Sequence, residues 1–122
     1  MYRLKVKSHF DAAHYIKDYE GKCSREHGHR WDVEVVLEGA SLNSLNMLED
    51  FKAIKDDLEE VLNDLDHYQL NEVLQEPNVT AEFLVKLLFD RMANRTRIEG
   101  VKLSEVSIWE SPDCCVTYCG RR

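Results

Sequence analysis

The tripeptide His27-Gly28-His29 is the part of the sequence whose residue types and spacing point most directly to chemistry. Side chains two positions apart in a β-strand point to the same face, so both imidazoles would converge on one point. His14 lies at the end of an earlier predicted strand and would reach the same point if the two strands were neighbours. Three neutral imidazoles suit zinc and leave a fourth position for water or substrate, which is the arrangement of catalytic zinc sites.

Cys23 lies in a polar loop shortly before His27. Close to a bound divalent cation the pKa of its thiol would fall, which would make a thiolate base or nucleophile available near neutral pH. The alternative is that Cys23 is the fourth ligand of a structural zinc site, which would make the chain a non-catalytic zinc module.

Three further polar groups are candidates for acid–base work or substrate binding. In Asp66-His67 the carboxylate can orient the imidazole and raise its basicity. The alternative is that His67 only interacts favourably with the dipole at the C-terminus of the preceding helix. Thr80 and Glu82 fit the capped start of a helix. Glu110 ends a predicted strand, where it is either solvated or able to accept two N–H bonds from the edge of a guanidine-like heterocycle.

The elements that would position these residues follow from hydrophobic periodicity. Residues 2–10 and 31–37 alternate between apolar and polar, which predicts two strands. Apolar residues at helical spacing predict helices over 51–65, capped by Asp50, and from about Thr80, capped by Thr80 or Asn78. Residues 101–109 and 115–119 resemble strands, and 66–79 a loop or short turn. The order β-β-α-α-β-β predicts an α+β fold with a four-stranded antiparallel sheet and two helices on one face.

The second face of this sheet would be charged. Arg3, Lys5, Lys7 and His9 alternate with the apolar positions of the first strand, so they would meet water or another subunit. Open sheet edges also favour pairing with further copies of the chain, so we expect a homo-oligomer.

Composition bounds the class of protein. The chain has 122 residues, a length that fits one domain over residues 1–122. Its 16 basic and 23 acidic side chains give a net charge of −7, which argues against a nucleic-acid or membrane-surface binder. We expect neither a signal peptide nor a transmembrane helix. The spacing of the four cysteines does not suggest a disulfide framework, so we predict the reducing cytoplasm. Cys114, Cys115 and Cys119 are interpreted as structural thiols, as buried thiols in strands commonly are.

Taken together, these motifs resemble the 6-pyruvoyltetrahydropterin synthase family over nearly the whole chain. The residues that carry the resemblance occur in the family's order: Phe10-Asp11-Ala12-Ala13-His14, Cys23-Ser24-Arg25-Glu26-His27-Gly28-His29, Asp66-His67, Thr80-Ala81-Glu82 and Glu110. The short spacing from Cys23 to His27 is similar to the branch that forms 6-carboxytetrahydropterin in queuosine biosynthesis.

The resemblance implies a fold, an assembly and a reaction. The fold would be the tunnelling fold (T-fold), with trimers closing a twelve-stranded barrel and two trimers stacking into a hexamer. The substrate would be 7,8-dihydroneopterin triphosphate, and the products 6-carboxytetrahydropterin, acetaldehyde and triphosphate. Zinc would be a Lewis acid at the side-chain oxygens, and no redox cofactor is expected. The alternative within the family is the sister reaction, which forms 6-pyruvoyltetrahydropterin without side-chain cleavage.

The resemblance also implies a role for each motif, with neighbouring subunits sharing the site. Zinc would be held by His14, His27 and His29. Cys23 would be the proton-abstracting base, and Asp66 and His67 would complete the acid–base relay. Glu110 would anchor the pterin ring with help from Thr80 and Glu82.

Overall fold

Four antiparallel strands form one sheet in the order β1-β2-β3-β4. The computed structural model describes residues 1–120, except for the side chain of Cys23. The strands are β1 (Tyr2–His14), β2 (His27–Gly39), β3 (Val101–Ser111) and β4 (Cys114–Cys119). β1 and β2 pair without interruption from Tyr2 opposite Gly39 to His14 opposite His27. This register brings His14 directly beside His27.

Three helices connect β2 to β3 in the chain: α1 (Phe51–Asn63), α2 (Leu70–Val73) and α3 (Ala81–Arg95). The predicted caps are confirmed for the two long helices, since Asp50 accepts the N–H of Lys52 at 2.9 Å and Thr80 accepts that of Phe83 at 3.0 Å. α2 lies in the stretch predicted as a loop or short turn, because four residues are too few to show helical periodicity. None of the helices within residues 1–120 is long and apolar enough to cross a membrane.

The hydrophobic core lies between α1, α3 and one face of the sheet. The alternation in β1 and β2 is confirmed, because Phe10, Trp31, Val33 and Val35 are all buried on this face. Phe51, the first apolar residue of the helix predicted over 51–65, is 65% exposed. It is the first residue of α1 and lies one turn before Ile54, with which the buried stripe of the helix begins.

The opposite face of the sheet carries charges that pair across the strands. Arg3 is 3.1 Å from carboxylate oxygens of both Glu38 and Glu105, and Lys7 is 3.7 Å from that of Glu34. The cations come from β1 and the carboxylates from β2 and β3. Exposed pairs of this kind contribute little stability individually, but they confirm that the charged residues of β1 point away from the helices.

The interpretation of the C-terminal cysteines as buried structural thiols is wrong. Cys114, Cys115 and Cys119 are exposed free thiols on β4. β4 is an edge strand, and its helix-side contacts are made by Val116 and Tyr118 instead. The thiols at 115 and 119 have the opposite strand parity and therefore point away from the core.

Candidate metal centre

His14, His27 and His29 lie together at one end of the β1–β2 ladder, on the face that carries the core. His14 pairs directly with His27, and His29 follows two positions later with the same parity. The ring centroids are 4.4 Å apart for His14 and His27, 5.1 Å for His14 and His29, and 4.5 Å for His27 and His29. The sequence prediction that these three imidazoles converge is therefore confirmed as geometry.

Glu110 joins the three imidazoles from β3. Its Oε1 atom is 3.2 Å from Nε2 of His14, 3.2 Å from Nε2 of His29 and 4.0 Å from Nε2 of His27. One ligand atom from each of the four residues lies within 4.8 Å of the others, as a metal site requires. The three Nε2 atoms thus face a common point, which the carboxylate oxygen approaches.

A local irregularity of the sheet places Glu110 there. The register between β3 and β4 shifts between Trp109, which pairs with Cys115, and Ser111, which pairs with Cys114. Glu110 is the extra residue between these two pairs and therefore lies in a β-bulge. Bulges of this kind re-aim a side chain and are over-represented beside active sites. The sequence signal for it is weak, because no glycine or proline precedes the bulge.

Backbone carbonyls set the tautomers of two of the histidines. Nδ1 of His14 is 2.7 Å from the carbonyl oxygen of Val79, and Nδ1 of His27 is 2.7 Å from that of Arg25. A carbonyl oxygen only accepts, so each Nδ1 carries the proton and donates it. The lone pair of each Nε2 is therefore directed at the common point, which is the arrangement found around metal-ligating histidines.

Two of the Nε2 atoms are buried without a hydrogen-bond partner. These are Nε2 of His14 and Nε2 of His29, which have no hydrogen-bond partner among the residues that the structure describes. A buried polar atom left unpaired is costly, and such atoms call for a specific explanation. A cation at the point that the three imidazoles face would satisfy both, so the donor set fits a divalent metal.

Burial favours the neutral form of His14 and of His29. Desolvation lowers the pKa of His14 below its ordinary value, and the neighbouring His27 lowers it further, while the Val79 carbonyl and Glu110 act in the opposite direction. Burial likewise lowers the pKa of His29 against the attraction of Glu110. Only a neutral imidazole can bind a metal ion, so these environments favour binding down to a lower pH than exposed histidines would allow.

Trp31 packs against two of the three histidines from the side of the hydrophobic core. Its indole is fully buried and meets the ring of His14 edge-on at 4.8 Å and that of His29 edge-on at 5.4 Å. Its Nε1–H donates to the carbonyl of Ala12 at 3.4 Å. Both histidines therefore rest on a rigid part of the hydrophobic core.

Asp66 and His67 form a separate cluster with Asp11, beside the outer edge of β1. Nδ1 of His67 is 3.0 Å from Oδ2 of Asp66, so the predicted orientation of the imidazole by the carboxylate is present. Oδ1 of Asp66 accepts the N–H of Asp11 at 2.9 Å, and the N–H of His67 donates to the carbonyl of Asp11 at 2.6 Å. The bond from Asp11 is the main reason why the pKa of Asp66 is lowered, which keeps it ionised.

This cluster is open to solvent and does not join the three histidines within one chain. His67 is 78% exposed, and its backbone has a positive φ of 65°, which turns the chain from α1 towards β1. Asp11 and His29 nevertheless line the same shallow pocket, together with Gly28 and His67. The pair is therefore preorganised at the surface, where a substrate or a second chain has access to it.

The remaining predicted residues lie around the start of α3 and in the loop between β1 and β2. Thr80 is the N-cap of α3 and Glu82 is exposed in its first turn, which agrees with the prediction that both residues belong to the capped start of a helix. Thr80 directly follows Val79, whose carbonyl contacts His14. The backbone of Cys23 lies in a single 3-10 turn over 22–24, and its side chain lies outside the described part of the chain.

The fold and the site together define a class: an α+β protein with an antiparallel sheet whose three clustered imidazoles can hold a metal. The family model of 6-pyruvoyl tetrahydropterin synthase matches residues 3–121, and the chain belongs to this family. A dihydroneopterin monophosphate aldolase of Pyrococcus furiosus is 35% identical, with 88% of this chain and 89% of that protein covered. A 6-carboxy-5,6,7,8-tetrahydropterin synthase of Haemophilus influenzae is 28% identical, with 97% and 99% covered.

A solved structure shares the same fold. The 6-pyruvoyl tetrahydropterin synthase of Caenorhabditis elegans superposes with a TM-score of 0.87 at 26% identity, covering 98% of this chain and 96% of that chain. The T-fold expected from the sequence is thereby confirmed. Membership in the family assigns a pterin-synthase function and a small pterin as substrate.

Proposed function

We propose that the chain is a zinc-dependent lyase that converts 7,8-dihydroneopterin triphosphate and one water to 6-carboxy-5,6,7,8-tetrahydropterin, acetaldehyde and triphosphate, in 7-deazapurine (queuosine) biosynthesis. The observation that carries the proposal is the convergence of three Nε2 atoms, two of which are buried and find no hydrogen-bond partner within the described part of the chain. The relative from Haemophilus influenzae bears the name of this activity and is covered almost completely.

His14, His27 and His29 are the proposed zinc ligands. Three neutral imidazoles with an open fourth position are typical of catalytic zinc sites. When bound, zinc would supply Lewis-acid polarisation of the substrate's side-chain oxygens, which makes the adjacent C–H bond more acidic. The protein's part is to hold the imidazoles in one tautomer, through the carbonyls of Val79 and Arg25, and to exclude water from the side formed by Trp31.

Glu110 is the proposed anchor of the pterin ring, with Thr80 and Glu82 assisting. A carboxylate accepts two N–H bonds from the amino-pyrimidinone edge of a pterin, and such charge-assisted pairs are strong and directional. The side chain of Glu110 is 31% exposed, so a ligand can reach it. Its position beside the imidazoles would set the ring at a fixed distance from the metal.

Cys23, Asp66 and His67 are the proposed proton carriers. Cys23 would take the proton from the substrate as a thiolate. Asp66 holds Nδ1–H of His67, so Nε2 of His67 is free to accept or donate a proton. Because this pair and the three histidines form two clusters in one chain, we propose that a neighbouring subunit completes each site, within a hexamer built as a dimer of trimers.

The proposed compartment is the cytoplasm. The exposed free thiols of Cys114, Cys115 and Cys119 favour a reducing environment, because exposed thiols oxidise readily outside it.

A second reaction is favoured by one observation. The relative from Pyrococcus furiosus, which is 35% identical, is named an aldolase of dihydroneopterin monophosphate. An aldolase would cleave the side chain of the pterin without eliminating triphosphate.

Product analysis separates these reactions. Zinc-loaded protein is incubated with 7,8-dihydroneopterin triphosphate and, in parallel, with the monophosphate, and products are identified by mass spectrometry. The proposal predicts acetaldehyde and 6-carboxytetrahydropterin from the triphosphate. A 6-pyruvoyl product would assign the sister reaction, and cleavage of the monophosphate alone would assign the aldolase. A protein with bound zinc that turns over neither compound would contradict the proposal and favour a structural zinc module.

A further inference from the structure

Asn71 has a buried side-chain amide that forms hydrogen bonds with the backbone of Tyr15, the residue after His14. It lies in α2 and is 5% exposed. Its Oδ1 atom accepts the N–H of Tyr15 at 2.9 Å, and its Nδ2 group donates to the carbonyl of Tyr15 at 2.9 Å. The side chain therefore satisfies both backbone groups of Tyr15, as a neighbouring strand would, and continues the support of β1 beyond its last residue.

The same amide holds the loop between α2 and α3. Nδ2 is 3.0 Å from the carbonyl oxygen of Glu76 and 3.0 Å from that of Pro77. Because a side-chain amide has two N–H groups, these donors are shared among the three carbonyls around it. The carbonyl of Asn71 itself accepts the N–H of Glu76 at 3.0 Å. One residue thus ties the loop to the end of β1.

This loop delivers the carbonyl that orients His14. Val79 follows Pro77 by two positions, is fully buried, and places its oxygen 2.7 Å from Nδ1 of His14. The loop and the extension of β1 are further joined by the N–H of Lys17, which donates to Oδ1 of Asn78 at 2.8 Å. Displacing the loop would remove the acceptor that keeps the Nδ1–H tautomer of His14.

We propose that Asn71 is a positioning residue of the metal site, which clamps the loop over 76–79 to β1 so that Val79 holds His14 with Nε2 facing the other imidazoles. The inference rests on the proposed metal-binding function of the three histidines. Partners that orient a ligating histidine typically change metal affinity by about 10–100-fold. Asn71 acts through one further bond, so we expect an effect of about tenfold, at the low end of that range.

The substitution Asn71→Asp tests this directly. It keeps the volume and the acceptor for Tyr15, but it replaces the N–H donors with a carboxylate that faces the carbonyls of Tyr15, Glu76 and Pro77. The matched control is Asn43→Ala. Oδ1 of Asn43 accepts the N–H groups of residues 45 and 47 in the loop after β2, at the opposite end of the sheet. The substitution Asn43→Ala also removes hydrogen bonds that hold a loop, but this loop is far from the histidines.

The first readout is zinc affinity of the folded, metal-free proteins, measured by competition with a chelator. We expect about tenfold weaker binding for Asn71→Asp and unchanged binding for Asn43→Ala. Wild-type affinity in a folded Asn71→Asp protein would overturn the proposal. Equal, weak binding by the wild-type chain and by His29→Ala would instead contradict the proposed metal site itself, so the two failures are distinguishable.

The second readout does not involve metal. Long-range ¹H–¹⁵N NMR of the histidine rings in metal-free protein should show His14 as the Nδ1–H tautomer in the wild-type chain and as a mixture in Asn71→Asp. An unchanged tautomer in the variant would overturn the proposal. If Asn71→Asp does not fold, Asn71→Ser, which removes the amide without adding a charge, replaces it in both readouts. Failure of both variants to fold in the presence of zinc would make Asn71 a purely structural residue and would also overturn the proposal.

Discussion

Oε1 of Glu110 lies 3.2 Å from Nε2 of His14, although the two residues come from β3 and β1, which are separated in the sheet by β2. The contact spans the intervening strand because Glu110 is the extra residue of a β-bulge and His14 is the last residue of its strand. The carboxylate therefore stands at the mouth of the group of imidazoles, where it can serve as a fourth metal ligand or as an anchor for a substrate.

The substitution Glu110→Gln separates these two roles. If Glu110 anchors the pterin, the three imidazoles remain and zinc stoichiometry is unchanged. A hydrogen bond to a charged group contributes about 1.5–3 kcal/mol, so kcat/KM should fall about 10–100-fold. Zinc content by elemental analysis and turnover are measured on the same preparation. Loss of zinc together with activity would show that Glu110 is a ligand instead.

Cys23→Ala tests the proposed base. Removing a positioned general base typically lowers the rate by about 10²–10⁴-fold. The proposal, in which three imidazoles hold the zinc, predicts that zinc and fold are retained. Cys115→Ala, which removes an exposed thiol on β4, is the matched control and should behave as wild type. If Cys23→Ala loses zinc and unfolds, the thiol is a structural ligand and the chain is a zinc module.

The stability of the metal-free protein should fall as the pH drops from about 7.5 to 5.5. Burial lowers the pKa of His14 and of His29 below the ordinary value of 6.5. In this range the unfolded chain binds more protons than the folded chain, so the free energy of unfolding decreases as the pH falls. Thermal denaturation of wild-type and His29→Gln proteins at several pH values measures this, with the exposed His9→Gln as the control. The dependence should be weaker in His29→Gln, and an identical dependence in all three proteins would contradict the assignment.

Two glycines should respond differently to a methyl group. A Cβ at Gly28 would meet nothing within 4 Å in this chain, so Gly28→Ala should keep stability and zinc binding. A Cβ at Gly39 would collide with the side chain of Leu48 and lie 3.0 Å from the carbonyl oxygen of Gly100. Overpacking of this kind costs about 1–3 kcal/mol. Urea unfolding of the two variants tests the difference, and equal midpoints would be the contrary result.

Much of the fold follows from short-range pattern. Alternation in β1 and β2 and the caps Asp50 and Thr80 are local signals, and the structure agrees with each of them. α2 is too short for periodicity, and the orientation of Phe51 depends on where α1 begins relative to the sheet. The outward cysteines of β4 required knowledge of which face the helices cover, since alternation alone assigns parity but not direction.

The candidate site also contains some residues that local sequence pattern predicts and others that it does not. His27 and His29 are predictable because the period of a strand puts them on one face, and His14 follows once β1 and β2 are paired. The carbonyl of Val79 and the clamp formed by Asn71 are invisible in the sequence, because both depend on contacts between residues more than 50 positions apart. The residue type at position 79 carries no signal for this contact, because the acceptor is the backbone carbonyl, which every residue has.

X-ray absorption spectroscopy of the zinc-loaded protein tests the central claim, an open metal centre formed by three imidazoles, most directly. We predict nitrogen or oxygen ligands only, at about 2.0–2.1 Å, with the multiple-scattering pattern of three imidazole rings and one further light atom from water or a carboxylate. A sulfur ligand at about 2.3 Å would place Cys23 on the metal, close the site and contradict the proposed catalytic function.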